Sequence, residues 1–298
     1  MAERSFVALT GRGILEIAGA DRQTFLQGLV SNDIAKVTAE RAAYAALLTA
    51  QGKYLHDFFI VAIGDAYYLD AEGARLSDLK RRLDLYKLRS KVRVTVADER
   101  YAVAAAFGDG ALAALGLPGE RGAAVAFAGG VAYADPRLAD LGARLLLPRA
   151  DGLTALAERG FSEKEPADYD RLRLALGVPD GSRDLIVEKS ILLESGFDEL
   201  AGIDWQKGCY VGQELTARTK YRGLIKKRLV PVTIEGPLPA PGTPVMWGED
   251  EAGEMRSGRD GAGLALLRID AIRGADAGKP LTAATARLTP SIPPWAEF

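Results

Sequence analysis

The patterning of this chain changes near residues 222–228, and that change limits the folds open to it. Beyond Gly223 no segment has the periodicity of a long helix. Residues 229–235, 243–247, 263–268 and 282–288 are short runs of strand character, separated by Gly236-Pro237, Pro241-Gly242 and Gly258. Short strands without intervening helices leave open edges unless the sheet closes on itself. Residues 224–298 are therefore expected to form a small β-barrel.

Ahead of that point strands and helices alternate. Residues 6–9 and 14–17 flank Gly11-Arg12-Gly13 in a hairpin pattern. Asp21 is the expected N-cap of a helix reaching Val30, with Phe25, Leu26 and Leu29 on one face. Residues 43–48, 58–63 and 67–70 read as strands, the last two joined at Gly64-Asp65. Residues 76–88 have helical spacing with Lys80, Arg81, Arg82 and Lys87 on the polar face, and 92–96 alternate as a strand. Farther on, strands are expected at 101–107, 123–127 and 144–147, and helices near 153–159 and at 168–176, the last stopped by Gly177-Val178-Pro179. The fold class is α+β: two modules, roughly 1–98 and 99–223, followed by the barrel domain at 224–298.

The chain has one cysteine, Cys209, and one histidine, His56, in 298 residues. An internal disulfide and a multi-histidine metal site are excluded, and no stably bound metal is expected. No apolar run approaches the length that spans a bilayer, so no membrane partner is expected. The first 21 residues carry acids and no continuous apolar segment, unlike a secretory signal or an acid-poor organelle presequence; a cytoplasmic location is expected. The net charge of −2 argues against direct nucleic-acid binding. Yet residues 207–228 hold seven basic residues against one acid, Glu214, which reads as an anion-attracting wall.

Cys209 lies between Gly208 and Tyr210, two residues after Lys207, in Lys207-Gly208-Cys209-Tyr210-Val211-Gly212-Gln213-Glu214, with Arg218 beyond. A lone cysteine can be a buried structural residue in a turn. This run, however, resembles the KGC[YF]xGQExxxR signature of the YgfZ family, folate-binding relatives of the glycine-cleavage T protein that assist iron–sulfur enzymes. The resemblance extends in order and spacing to 27–33, Gly52-Lys53, 173–179 and 264–268, and so covers essentially the whole chain. It implies two intertwined α+β modules and a barrel around a central cavity. It also implies a factor for assembly or repair of [4Fe–4S] proteins, including cluster-dependent tRNA-modifying enzymes, with iron–sulfur proteins or cluster carriers as partners. Tetrahydrofolate or a related folate is the implied ligand.

Cys209 and Lys207 are the implied reactive thiol and its activating cation. Asn32, Asp33, His56, Trp205, Gly208, Tyr210, Gly212, Gln213, Glu214 and Arg218 are the implied ligand-binding set. Bland readings stand beside these. Asn32 and Asp33 suit a turn or cap, and Trp205 suits the core. Glu214 and Arg218, four apart, would pair on a helix and fix the thiol loop. T proteins use a carboxylate where this chain has His56, ahead of Asp57, and an acid where Arg173-Leu174-Ala175-Leu176-Gly177 has Ala175. His56 can be a structural residue or a donor near neutral pH. The competing readings are a folate-dependent aminomethyltransferase or demethylase, which His56 and Ala175 disfavour, and a folate sensor with no reactive thiol. A maturation factor is expected rather than an aminomethyltransferase.

Overall fold

The computed structural model of the chain describes residues 3–275 and 279–298. Its strands are β1 (Ser5–Ala8), β2 (Arg12–Ala18), β3 (Ala43–Leu48), β4 (Tyr54–Ile63), β5 (Ala66–Glu72), β6 (Arg93–Val96), β7 (Tyr101–Phe107), β8 (Ala124–Phe127), β9 (Gly130–Ala134), β10 (Ala143–Pro148) and β11 (Ser162–Glu163), then β12 (Lys227–Glu235), β13 (Pro244–Trp247), β14 (Asp250–Arg259), β15 (Ala262–Arg268), β16 (Leu281–Ala283) and β17 (Ala286–Pro290). The helices are α1 (Arg22–Gln27), α2 (Leu76–Lys87), α3 (Ala111–Ala114), α4 (Thr154–Glu158), α5 (Pro166–Ala175), α6 (Gln213–Tyr221) and α7 (Ile269–Gly274).

Packing divides the chain into two compact units. The first comprises Met1–Leu48, Leu55–Tyr169 and Leu200–Val211, the second Thr49–Tyr54, Asp170–Glu199 and Gly212–Phe298. The barrel strands begin at Lys227, and the unit that holds them also takes in earlier chain. Tyr54 N–H donates to Ser190 O at 3.0 Å, and a 3₁₀ turn at Leu192–Ser195 packs against both α6 and β12.

In the first unit one sheet has the order β3-β4-β5-β2-β6 and the other β11-β1-β7-β10-β9-β8. The two are intertwined, because β1 leaves the N-terminal sheet to pair with β7 and β11. The expected 6–9/14–17 hairpin is thereby corrected. β2 pairs along its whole length with β5 and also with β6, so the turn after Leu9 carries the chain from one sheet to the other. Asp21 does not cap α1. Its carboxylate instead accepts Lys91 N–H at 2.7 Å, and the helix ends at Gln27.

A charged network is buried within this unit, alongside an apolar cluster that includes Phe6, Leu145, Leu147 and Phe161. Arg12 of β2 and Arg144 of β10 both bond Asp70 of β5, the Arg12 Nε contact at 2.5 Å and the Arg144 Nε contact at 3.1 Å. Arg137 grips Asp135 through Nε and Nη2 at 3.0 and 2.8 Å. Both Arg144 and Arg137 lie over the Phe59 ring, at 3.9 and 4.8 Å from its centroid. Burial would raise the Asp70 pKa, but the two guanidiniums hold it below the ordinary carboxylate range.

The second unit holds a closed antiparallel barrel, β12-β15-β14-β13-β16-β17. Its core is aliphatic, centred on Val230, Val245, Met255, Leu267 and Leu281. Two expectations are refined. Gly258 lies inside β14, where the register with β15 shifts, rather than between strands. Residues 282–288 form two strands with a turn at Ala284, whose φ is 51°.

Candidate functional site

Lys207, Cys209 and Tyr210 belong to the first unit, in the segment that returns after residue 199. Asp204 shapes this loop. Its Oδ1 accepts the N–H groups of Gln206 and Lys207 at 2.8 and 3.1 Å, and its Oδ2 pairs with Lys36. Lys207 then reaches the end of α1. Its Nζ donates to the backbone oxygens of Gln27, Val30 and Asn32 at 2.9, 2.6 and 2.7 Å, and lies 5.1 Å from the centre of the Tyr210 ring. Val211 N–H donates to Gly28 O at 3.1 Å. The loop is therefore pinned on both flanks of Cys209, and Cys209 itself is exposed.

This arrangement changes the reading of Lys207. An ammonium has three protons to donate, and all three are directed at carbonyls of the α1 end, where the helix dipole favours a cation. Burial lowers its pKa from 10.5 to about 8, while Asp33 and Asp204 oppose that fall. Lys207 fixes the position of the thiol loop rather than reaching for the sulfur.

Gly208 has no steric role: a Cβ there would meet nothing within 4 Å. The approach to Cys209 is correspondingly open. Gly212 does carry a backbone requirement, with φ of 82° as the residue before α6. In the second unit it meets the Gly52 turn, where a Cβ on Gly52 would come within 2.7 Å of Gly212 O and 2.6 Å of Leu215 Cβ. Gln213, Glu214 and Arg218 lie on α6. Glu214 and Arg218 are four apart as expected, but both are exposed and no ion pair joins them, so they do not lock the loop.

A cavity of about 410 Å³ in the first unit is lined by Asn32, Asp33, Tyr44, Ile203 and Trp205, with Lys36, Arg41 and Arg121 adding positive charge. Trp205 is thus a wall residue rather than core. The Asn32 amide is already committed, donating to Tyr44 O and Ala201 O at 2.7 and 2.8 Å. Asp33 caps the short 3₁₀ turn Ile34–Lys36 through Ala35 N–H. The sequence reading missed Lys36, Arg41, Arg121 and Asp204. Only Asp204 left a local signal, an Asp two residues ahead of an amide it can bond.

His56, placed by the resemblance in the ligand-binding set, does not line this cavity. Successive strand residues face opposite ways. On β4 this sends His56 toward α2, where Nε2 meets Asp78 Oδ2 at 3.0 Å, and turns Asp57 the other way to accept the Tyr44 hydroxyl at 2.8 Å. Burial, then Arg75, pushes the imidazole pKa down to about 4, so it is neutral near pH 7. In the second unit Arg173 is a buried structural hub, bonded to Asp170, Asp184 and Ser257, while Ala175 is exposed.

Comparison with known proteins now bears on the chain. The mouse mitochondrial iron–sulfur cluster assembly factor IBA57 is 34% identical over 310 residues, spanning 96% of this chain and 84% of that protein. The human protein of the same name is also 34% identical, with the same coverage. The chain belongs to the IBA57 family. A homologue from Neosartorya fischeri is 32% identical over 92% of this chain and 66% of its own length. The model for the CAF17 C-terminal β-barrel domain matches residues 226–298, the barrel described above.

The fold is that of glycine cleavage system aminomethyltransferase T from Bartonella henselae, with a TM-score of 0.75 and 16% identity over 99% of this chain and 87% of that one. These three relatives carry the IBA57 name rather than YgfZ. The expected cytoplasmic location is corrected as well, because the IBA57 relatives are named mitochondrial. Among the described residues no helix is long and apolar enough to cross a membrane.

Proposed function

We propose that this chain is an accessory factor for the assembly or repair of iron–sulfur proteins, with Cys209 as the group that meets the cluster. One observation carries the reading: the chain's only thiol is exposed on a loop pinned at both flanks, in a member of a family whose similar proteins are named iron–sulfur cluster assembly factors. Clusters are held by several thiolates, and Cys209 can fill one position. The cluster is cargo here, and a client or carrier protein brings the other ligands. The proposed clients are [4Fe–4S] proteins, including cluster-dependent tRNA-modifying enzymes, as the YgfZ-type run 207–218 suggests.

Folate, or a related pterin, is the proposed ligand of the Trp205 cavity. The residues fit a flat anionic molecule: Trp205 and Ile203 offer apolar surface, and Lys36, Arg41 and Arg121 offer charge for carboxylates. The fit does not extend to the pterin grip of a T protein, since Ala175 supplies no acid and His56 is turned away. Aminomethyl transfer is therefore not part of the proposal.

The deciding experiment expresses Cys209→Ala and Cys209→Ser in cells lacking the native gene. Both variants are expected to lose rescue of cluster-enzyme activity and of cluster-dependent tRNA modification, with glycine-cleavage flux unchanged. Full rescue by Cys209→Ala would remove the thiol from the function. Support of glycine cleavage by the purified protein at enzymatic rates would favour the transferase reading.

A further inference from the structure

The end of α2 and the start of β6 form a surface that the thiol site does not use. α2 buries Leu76, Leu79 and Leu83, yet beyond them Leu85 is 64% exposed and Leu88 is 89% exposed. Leu88 ends the helix with φ of 40°, a conformation disfavoured for any side chain but glycine's hydrogen. Lys87 precedes it and Arg89, Lys91 and Arg93 follow, and among the described residues none of these four pairs with a carboxylate. The nearby acids are engaged: Asp84 with Lys80, Asp98 with Ile14 N–H, and Asp21 with Lys91 N–H.

β6 is also the last strand of its sheet. It runs antiparallel to β2, and just past its end Ala97 N–H donates to Ile14 O at 2.9 Å. Alternate residues of an antiparallel strand turn their N–H and C=O groups to opposite sides. The backbone groups of Val94 and Val96 therefore point off the open edge, where no backbone partner meets them among the described residues. Beside that edge runs a groove of about 690 Å³ with Leu76, Leu85 and Val96 in its apolar lining.

We propose that β6 accepts an extended, acidic segment of a partner protein as an added strand, with its carboxylates against Arg89, Lys91 and Arg93 and an apolar side chain in the Leu76–Leu85–Val96 groove. Strand addition takes its affinity from main-chain bonds and its selectivity from alternate side chains. Charge chooses the occupant. Two β6 edges of this chain would bring like charges together, and such repulsion keeps edges from self-pairing. An acidic strand meets no such barrier. The grooved, open-edged shape favours a polypeptide over a lipid surface.

The test uses the full chain and a short fluorescein-labelled peptide of alternating Glu and Val. Saturable binding that weakens with salt is expected, together with slowed amide exchange at Val94 and Val96. The double variant Lys91→Glu, Arg93→Glu should bind at least about tenfold more weakly. Both substituted positions are exposed, so the fold and the alkylation rate of Cys209 should be kept; the outcome is thereby independent of the proposed thiol function. Absence of peptide binding, or binding without protection at Val94 and Val96, overturns the proposal. So does binding to phosphatidylcholine–phosphatidylserine vesicles with none to the peptide, which would assign the basic surface to lipid.

Discussion

In the sheet unit, Phe59 lies beneath the guanidiniums of Arg144 and Arg137, which Asp70 and Asp135 hold in place. The barrel core is built from Val230, Val245, Met255, Leu267 and Leu281. An aliphatic interior needs volume and shape, and it tolerates swaps that conserve both. An ionic interior needs every partner, because removing one strands a charge away from water. The Phe59 network and the barrel core should therefore fail in different ways.

The largest expected effect is Arg144→Ala. It leaves Asp70 with Arg12 as its remaining guanidinium and uncovers Phe59, and should cost about 3–5 kcal/mol in urea unfolding. The matching barrel change, Leu267→Ala, should cost about 2–5 kcal/mol through its cavity. A volume-conserving Leu267→Met should recover most of that loss, whereas Arg144→Lys should recover little, since a point charge cannot repeat the planar contacts. Recovery by Arg144→Lys equal to that of Leu267→Met would break the contrast.

Acid sharpens it further. The folded-state pKa of His56 is depressed from 6.5 to about 4. Between those values the unfolded chain takes up a proton that the folded chain refuses, so stability falls as pH drops through that window, by roughly 2–3 kcal/mol at its lower end. His56→Gln should flatten this part of a stability–pH profile. The barrel has no histidine, so hydrogen exchange should accelerate in β4 before β12. The smallest effect is expected at Arg218→Ala, within about 0.5 kcal/mol, because the side chain is exposed and unpaired with Glu214. A larger loss would show that α6 depends on a contact its surface does not display.

The same contrast explains what the sequence disclosed. Barrel strands β12, β13 and β15 announced themselves as short apolar runs between Gly and Pro turns, and in β12 and β15 nearly every residue is buried. β14, with Glu251, Gly253, Glu254, Arg256 and Gly258 along it, is no such run and escaped notice. In the sheet unit, helix α2 and strands β5 and β7 were legible from local pattern. The change of sheet between β1 and β2 was not, since pairing partners distant in sequence decide it. The functions of Lys207 and His56 could not be read, because each depends on which way a side chain turns: one toward the end of α1, the other toward Asp78.

Lys207 also sets a rule for substitution. The three acceptors that hold its ammonium are main-chain oxygens of Gln27, Val30 and Asn32. Any residue at those positions presents the same oxygens, so the grip on the thiol loop is blind to side-chain identity in that stretch. At position 207 itself the tolerance disappears. A guanidinium spreads its donors across a rigid plane and cannot converge them on one point, so even arginine, which keeps the charge, would lose the fit and let the loop bearing Cys209 drift.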